Sequence, residues 1–160
     1  MFREMRRKRQ KLSDEQTEAV FEHATHGVLS LIGDDGYPYG VPVSYVYANK
    51  AIYIHSALEG HKIDAIRACD KVSFIVVDAD DVVADEYTTY FRSAIAFGRA
   101  RILEDKNEKM QALRLLGDHY NPGHDEALEA EISKGFERLH MIEIEIEHMS
   151  GKQAIELLRS

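Results

Sequence analysis

Segment 54–62, which reads Ile-His-Ser-Ala-Leu-Glu-Gly-His-Lys, carries the residue types in this chain that are best suited to chemistry. It runs from an apolar strand pattern into a helical pattern, and the spacing of Ser56 and Glu59 predicts a capping box at the helix start. Backbone N–H groups at such a start lack helical partners, and the helix dipole favours an anion there. Three following residues would assist: Gly60, His61 and Lys62. The glycine admits close approach, the histidine adds a donor and the lysine adds positive charge. We therefore predict a phosphate site, with a plainly capped helix as the alternative.

His55 stands at the end of the same strand pattern. Histidine changes charge near neutral pH, so His55 could donate a proton to a substrate bound beside it. The alternative is a structural histidine bonded to a backbone carbonyl. Neither interpretation follows from the spacing alone.

The remaining candidate ligands do not combine into a metal site. His23 and His26 are three residues apart, and His119 and His124 flank an Asn-Pro-Gly turn, but no set has zinc-ligand spacing. The acidic run 78–86 lacks the spacing of a calcium loop and is interpreted as a solvated loop. We expect no bound metal, and we interpret the single cysteine as a small core residue.

The surrounding pattern predicts a mainly β protein of the α+β class. Alternating apolar residues and turn signals predict six strands, over 28–32, 39–47, 51–55, 72–77, 87–103 and 142–147. Helical spacing and capping patterns predict helices over 14–24, after Glu59, after Asp105, and around 128–136. Short connections between the early strands favour an antiparallel barrel with flanking helices over a parallel sheet.

Strand 39–47 is predicted to present two different faces. Tyr39, Val41, Val43, Tyr45 and Tyr47 share one face, and the residues between them share the other. Pro42 cannot donate a hydrogen bond to a neighbouring strand, so it predicts an edge strand, a bulge or a place where a ligand approaches the backbone. Similarly, the glycine at position 98 predicts a bend in the long fifth strand.

Composition limits the classes of function. The chain has 160 residues, 44% hydrophobic and 30% charged, which fits one domain over 1–160. Its net charge is −8, although the first 11 residues carry six Lys or Arg against one Glu. We expect no nucleic-acid partner, since one short basic arm (residues 1–12) is not a duplex-binding surface. The arm is either solvated or packed on a partner subunit or near an anionic ligand. No apolar run could span a membrane, and the lone cysteine favours the cytoplasm.

Five stretches resemble a known family. They are Met5-Arg6-Arg7-Lys8, Gly36 to Val43, Ile52 to Lys62, Phe91 to Ala94, and Phe97 to Ala100. On these motifs the chain resembles the flavin-binding split-barrel superfamily of pyridoxamine 5'-phosphate oxidase, and within it the nitroimidazole-resistance type. The resemblance covers most of the chain, and Tyr-x-His-Ser-Ala-x-x-Gly-x-Lys is its most specific part. It implies a six-stranded antiparallel split β-barrel.

The resemblance also implies a homodimer with FMN in a groove between the subunits. Lys62 and His61 would hold the phosphate, and Ser56 and His55 would contribute from the strand end, with His55 nearest the reactive part of the flavin and therefore catalytic. Segment 42–45 would lie along the isoalloxazine ring, with one ring face shielded by apolar side chains. Ser93 would contribute from the long strand, within one subunit or across the dimer. The full implied set is Pro42, Val43, Ser44, Tyr45, His55, Ser56, Ala57, Gly60, His61, Lys62 and Ser93.

The implied activity is reduction of a small-molecule electron acceptor, a nitroaromatic of the 5-nitroimidazole type, with a nicotinamide or another reductant as donor. The sequence departs from the oxidase proper, which has Arg where this chain has His61. It also lacks a clear counterpart of the oxidase's substrate-phosphate residues near the C-terminus. Pyridoxamine phosphate oxidation, a deazaflavin or haem cofactor, and a flavin-binding sensor without turnover are the alternatives.

Overall fold

The computed structural model describes residues 1–158. Within them the chain forms seven strands: β1 (His26–Ile32), β2 (Pro38–Ser44), β3 (Val46–Ala48), β4 (Ala51–Ala57), β5 (Lys71–Val83), β6 (Thr88–Ile102) and β7 (Leu139–Gln153). The same part of the chain forms four α-helices: α1 (Asp14–His23), α2 (His61–Ala68), α3 (Lys106–Tyr120) and α4 (Asp125–Gly135). The mainly β class and the flanking helices are therefore as predicted. No helix among these residues is both long and apolar enough to cross a membrane.

The seven strands form one antiparallel sheet whose two edges are joined by a single residue. The strand order is β2-β1-β5-β6-β7-β4-β3. The edge strands β2 and β3 are consecutive in the chain, and only Tyr45 separates them. The sheet therefore curls until its edges meet at Tyr45, while no β2–β3 ladder closes the seam between the described strands. This open seam agrees broadly with the expected split barrel.

The prediction of six strands was wrong, because the predicted strand 39–47 bends at Tyr45 and changes its neighbour. The backbone N–H of Tyr45 donates to the Thr25 carbonyl at 3.3 Å. Its phenol is fully buried and donates to the Phe21 carbonyl at 2.6 Å. The first bond extends the β1–β2 register by one residue, the second ties Tyr45 to α1, and the residues after Tyr45 pair with β4 instead. Local alternation continues unbroken through a change of partner, so the sequence pattern does not reveal it.

The predicted acidic loop over 78–85 was also wrong. Strand β5 continues to Val83 and stays paired with β6 as far as Thr88, with a bulge between Val77 and Ala79. Acidic residues disfavour strands in general, but most of this ribbon is exposed and leaves their carboxylates in water. Arg92 on β6 pairs with Asp78 at 3.1 Å, which offsets part of the charge.

Two predicted local features are confirmed. Ser13 and Gln16 form a reciprocal capping box at the start of α1, with bonds of 3.0 and 3.1 Å. The bend predicted at Gly98 is a bulge in the pairing of β6 with β7. A side chain at Gly98 would collide with the carbonyl of Glu145, so glycine lets the two strands approach there.

The core has two parts, on opposite faces of the sheet. The larger one fills the barrel and draws Phe21 from α1, Ile63 from α2 and the inward side chains of most strands. The smaller one lies under α3 and α4 and includes Leu113 and Met141. Strand β4 contributes to both, because successive side chains point to opposite faces.

Candidate functional site

The start of α2 differs from the sequence prediction. Strand β4 runs through Ala57, and Ser56 pairs with His140 of β7, so Ser56 does not cap the helix. The capping-box prediction for Ser56 and Glu59 was therefore wrong. The N-cap is Gly60, whose φ of 131° favours glycine, and no side chain caps the helix. The first N–H groups of α2 are left available to a ligand.

Lys62 lies in the first turn of α2 and carries a charge that nothing on the described chain offsets. It is partly buried, and loss of solvent lowers the pKa of its ammonium group. Among the described residues Lys62 forms no ion pair or side-chain hydrogen bond. The carboxylate of Asp64, two residues further along α2, does not pair with it either. A desolvated cation beside uncapped N–H groups favours an anionic ligand.

His61 is turned toward the hairpin between β1 and β2. Its ring stacks on Tyr39, with ring centroids 4.1 Å apart and planes 14° apart. Its Nε2 lies 3.9 Å from a carboxylate oxygen of Asp34, and a side chain at Gly33 would crowd the ring. His61 thus fixes the helix start to the hairpin, whereas the sequence predicted a direct contact with phosphate.

The end of β4 presents three predicted residues on two faces. Ser56 is 6% exposed and lies on the barrel side, while His55 and Ala57 are exposed on the opposite side. The imidazole of His55 makes no hydrogen bond within residues 1–158, so the carbonyl-bonded structural alternative for His55 does not describe this structure. The ring is therefore open to solvent or to a ligand.

His140 is a neighbour of the site that the sequence analysis did not select. It lies directly opposite Ser56 on β7. Burial, together with the charges of Lys109 and Arg67, lowers the pKa of the His140 imidazole, so the neutral form predominates at neutral pH. The sequence did contain a signal for His140. The strict alternation of the last strand, when extended toward the N-terminus, places position 140 on the same face as Ile142.

Segment 42–45 divides between surface and core. Pro42 and Ser44 are exposed on β2, which is an edge strand as the proline predicted. Val43 packs against the barrel core, and the Tyr45 side chain is fully buried within it. A ligand along β2 would therefore meet Pro42, Ser44 and the backbone, and it would not meet the Tyr45 ring that we expected to shield it.

Ser93 is not brought together with the start of α2 within one subunit. It lies opposite Lys152 on β7, whereas Ser56 lies opposite His140 on the same strand. Positions 140 and 152 are separated by roughly 40 Å of extended strand, at about 3.3 Å per residue.

The outer face of the sheet is unusually apolar. One row across five strands runs from Pro42 through Val28, Ile75 and Ile95 to Ser150. Val28 is 37% exposed, and farther along the same face Val77 is 57% exposed. Exposed apolar patches of this kind are typical of protein contact surfaces.

The described residues offer no metal site. No group of three or more His, Cys, Asp or Glu side chains in residues 1–158 could hold an ion.

Comparisons with known proteins agree with this architecture. A solved structure from Bacteroides thetaiotaomicron, which is named for 5-nitroimidazole antibiotic resistance, is 23% identical to this chain with a TM-score of 0.73. The match covers 89% of this chain and 86% of that one. A FAD-binding protein from Mesorhizobium loti is 27% identical with a TM-score of 0.66, covering 91% and 97%. A flavocytochrome from Azotobacter vinelandii is 21% identical with a TM-score of 0.80, covering 94% and 72%.

No curated protein matches the chain. The family described as pyridoxamine 5'-phosphate oxidase matches residues 13–153, which span nearly all of the strands and helices above. The chain therefore belongs to the pyridoxamine 5'-phosphate oxidase family.

Proposed function

We propose that this protein is a flavin-dependent oxidoreductase that holds FMN and reduces small nitroaromatic compounds of the 5-nitroimidazole type. The observation that carries the proposal is the partly buried, unpaired ammonium group of Lys62 beside the uncapped start of α2. Family membership and the similar protein described as FAD-binding support a flavin, and the similar protein described by nitroimidazole resistance supports the nitro substrate.

The residues at this site suit a flavin phosphate. A phosphate dianion would offset the charge of Lys62 and accept hydrogen bonds from the free N–H groups of α2. The hydroxyl of Ser56 makes no hydrogen bond within the described chain and would serve as a further donor. Gly60 and Ala57 leave room for close approach, and His61 holds the helix against the hairpin. The exposed side of β2, at Pro42 and Ser44, would support the ring system.

We further propose a homodimer with the flavin between its subunits. The separation of Ser93 from Ser56 along β7 supports this arrangement, since a partner subunit would supply the missing half of the groove. The apolar outer face around Val28 and Ile75 supplies a contact surface without charged residues at its centre. Such central depletion of charge is typical of subunit interfaces.

The protein's part in the reaction is to bind, to orient and to supply protons. A bound flavin supplies two-electron transfer from a reduced nicotinamide donor to an acceptor. Converting a nitro group to a nitroso group takes two electrons and two protons and releases water. His55 is exposed and free of hydrogen bonds, so it would donate a proton to a nitro oxygen and regain one from solvent.

Anaerobic stopped-flow kinetics tests the proposal. Protein reduced with a nicotinamide donor is mixed with a 5-nitroimidazole, and reoxidation is compared with that in buffer alone. We expect the nitro compound to accelerate reoxidation, and His55→Gln to slow that step about 100-fold, the lower range of general-acid catalysis. His23→Gln, at an exposed histidine of α1, is the matched control. If the nitro compound never accelerates reoxidation, the protein binds a flavin but does not reduce nitro compounds, and the proposed activity is wrong.

A further inference from the structure

The N-terminal arm forms one wall of a second cleft, which shares no residue with the start of α2. Lys11 forms an isolated antiparallel bridge with Lys152, and the N–H of Leu12 donates to the Gly151 carbonyl at 2.9 Å. The arm is thereby tied to β7 and encloses a cleft of about 490 Å³ against the outer face of β6 and β7. This volume lies in the lower half of the usual range for small-molecule sites, about 300–1,000 Å³, and so fits a compound of one or two rings.

The cleft concentrates unpaired positive charge on a chain whose net charge is −8. Its one carboxylate, Glu4, already pairs with Lys8 at 2.9 Å. Three further cations in its lining have no carboxylate partner among residues 1–158: Arg3, Lys11 and Lys152. The last two lie directly opposite each other, and like charges in such a pair destabilise a sheet. An anion bound between the two lysines would remove that cost.

The other end of the cleft is aromatic. Phe2 stacks on His148, with ring centroids 4.9 Å apart, and its centroid lies 5.4 Å from that of Phe97. Phe2 is 40% exposed and Phe97 is 39% exposed, so part of each ring is left for a ligand to contact. His148, Ser150 and Lys152 are alternate residues of β7 and so share one face. The aromatic and cationic ends are therefore roughly 13 Å apart, at about 3.3 Å per residue, with the Ser150 hydroxyl between them.

The donors in this cleft suit a carboxylate better than a phosphate group. None of the four described α-helices begins among the lining residues, so the cleft lacks the free backbone N–H groups that a helix start offers to phosphate. It offers instead the ammonium groups of two opposed lysines and a hydroxyl, which together match the two oxygens of one carboxylate. The long lysine side chains can reach an acid group that is carried by a single ring at the aromatic end.

We propose that this cleft binds an aromatic carboxylate, with the ring against Phe2 and the acid group between Lys11 and Lys152. The inference rests on the proposed function and narrows its substrate class, because it makes nitroaromatic acids the preferred electron acceptors. Ser93 lines the cleft, and in the proposed homodimer it would border the flavin held by the partner subunit. A nitroaromatic acid bound in the cleft would then lie beside that flavin.

Calorimetric titration of the full-length protein with 4-nitrobenzoate tests the site. Its methyl ester keeps the ring and the nitro group without the charge, and acetate keeps the charge without the ring. We expect 4-nitrobenzoate to bind about tenfold more tightly than either, and Lys152→Gln or Lys11→Gln to remove most of its advantage over the ester. Phe2→Ala should weaken the acid and the ester by the same factor, whereas Lys71→Gln, at an exposed lysine of β5, should change neither. Equal binding of the acid and the ester would overturn the proposal, as would acid binding that Lys152→Gln leaves unchanged.

Anaerobic kinetics with the flavin-loaded protein separates this proposal from the proposed function. We expect 4-nitrobenzoate to have a higher kcat/KM than its methyl ester, although the more electron-poor ring of the ester makes its nitro group easier to reduce. Lys152→Gln should lower kcat/KM for the acid about tenfold and leave that for the ester unchanged. If the protein reduces both compounds without such a preference, the proposed function stands and the narrower substrate class is wrong. If the cleft binds 4-nitrobenzoate in a Lys152-dependent way but the protein reduces no nitro compound, the aromatic-acid site stands and the proposed function is wrong.

Discussion

The imidazole ring of His61 lies almost flat on the phenol ring of Tyr39, with ring centroids 4.1 Å apart and planes 14° apart. Tyr39 belongs to the edge strand β2, and His61 is the first residue of α2. The contact therefore fixes the helix that carries Lys62 to the strand that carries Pro42 and Ser44. Aromatic contacts of this kind contribute about 0.5–1.5 kcal/mol beyond the area they bury.

We predict that His61 acts through this stacking and not through its charge. His61→Phe keeps an aromatic ring against Tyr39 and should leave flavin affinity within about threefold of the wild type. His61→Ala removes the stack and should weaken flavin binding about tenfold, from roughly 1.4 kcal/mol of lost packing. Fluorescence titration with FMN measures both. If the two variants lose affinity equally, the imidazole bonds directly to the phosphate.

Lys62 should lower the stability of the ligand-free protein while supporting the bound form. Burial lowers the pKa of its ammonium group, so the folded chain holds a desolvated charge that the unfolded chain leaves in water. Lys62→Met keeps the aliphatic stem and removes the charge. We expect a higher midpoint of urea unfolding for Lys62→Met without ligand and weaker FMN binding. A lower midpoint would show that Lys62 has a stabilising partner.

The same group predicts a direction of pH dependence. The folded-state pKa of Lys62 lies below its ordinary value of 10.5, so between those two values the unfolded chain binds more protons. The free energy of unfolding contributed by this group therefore rises with pH through that window. The advantage of Lys62→Met over the wild type should be largest near neutral pH and should shrink as the pH rises through the lowered pKa. Urea unfolding at a series of pH values measures it, and an advantage that grows with pH would contradict the assignment.

The apolar outer face should control assembly. Val28 sits between Pro42 and Ile75 in the row that crosses the sheet. Val28→Glu would place an unpaired charge in the proposed interface, and we expect the dimer dissociation constant to rise about 100-fold or more. Sedimentation velocity measures it, with Ala130→Glu at an exposed position of α4 as control. If the Val28→Glu protein remains dimeric, the subunit interface does not include the apolar outer face around Val28.

Tyr45 should matter for stability and not for ligand binding. Its phenol donates to the carbonyl of Phe21, in the last turn of α1, where carbonyls lack helical partners. Tyr45→Phe leaves that buried oxygen without its donor and should lower the free energy of unfolding by about 1–3 kcal/mol. FMN affinity should not change. A loss of affinity with unchanged stability would place the phenol at the ligand.

Local sequence patterns predicted the helices and strands better than they predicted which strands pair with each other. The same Ser-x-x-Glu/Gln spacing is a real cap at Ser13 and fails at Ser56, because pairing with His140 keeps Ser56 in a strand. That pairing joins positions more than 80 residues apart, which no local window contains. Likewise, the alternation through Tyr45 was read correctly, but the change from β1 to β4 depends on a bond to Phe21 in another element.

The site was predictable to the extent that it is continuous in sequence. Segment 54–62 led to Gly60 and Lys62 as candidates, since helix start, glycine and cation lie within a few residues, and the structure places both at the start of α2. The faces of β4, which separate His55 from Ser56, followed from strand periodicity once the strand was known to reach Ala57. The position of Ser93 did not follow, because it depends on the register of β6 against β7.

The central claim is that Lys62 and the uncapped start of α2 hold a flavin phosphate. The most direct measurement is the visible absorption spectrum of the full-length protein after loading with excess FMN and desalting, for the wild type, Lys62→Gln and Lys71→Gln. We expect a two-banded flavin spectrum for the wild type and for Lys71→Gln, with the dissociation constant of Lys62→Gln raised about 10- to 100-fold. A colourless wild-type protein, or a Lys62→Gln variant that retains flavin fully, would contradict the account.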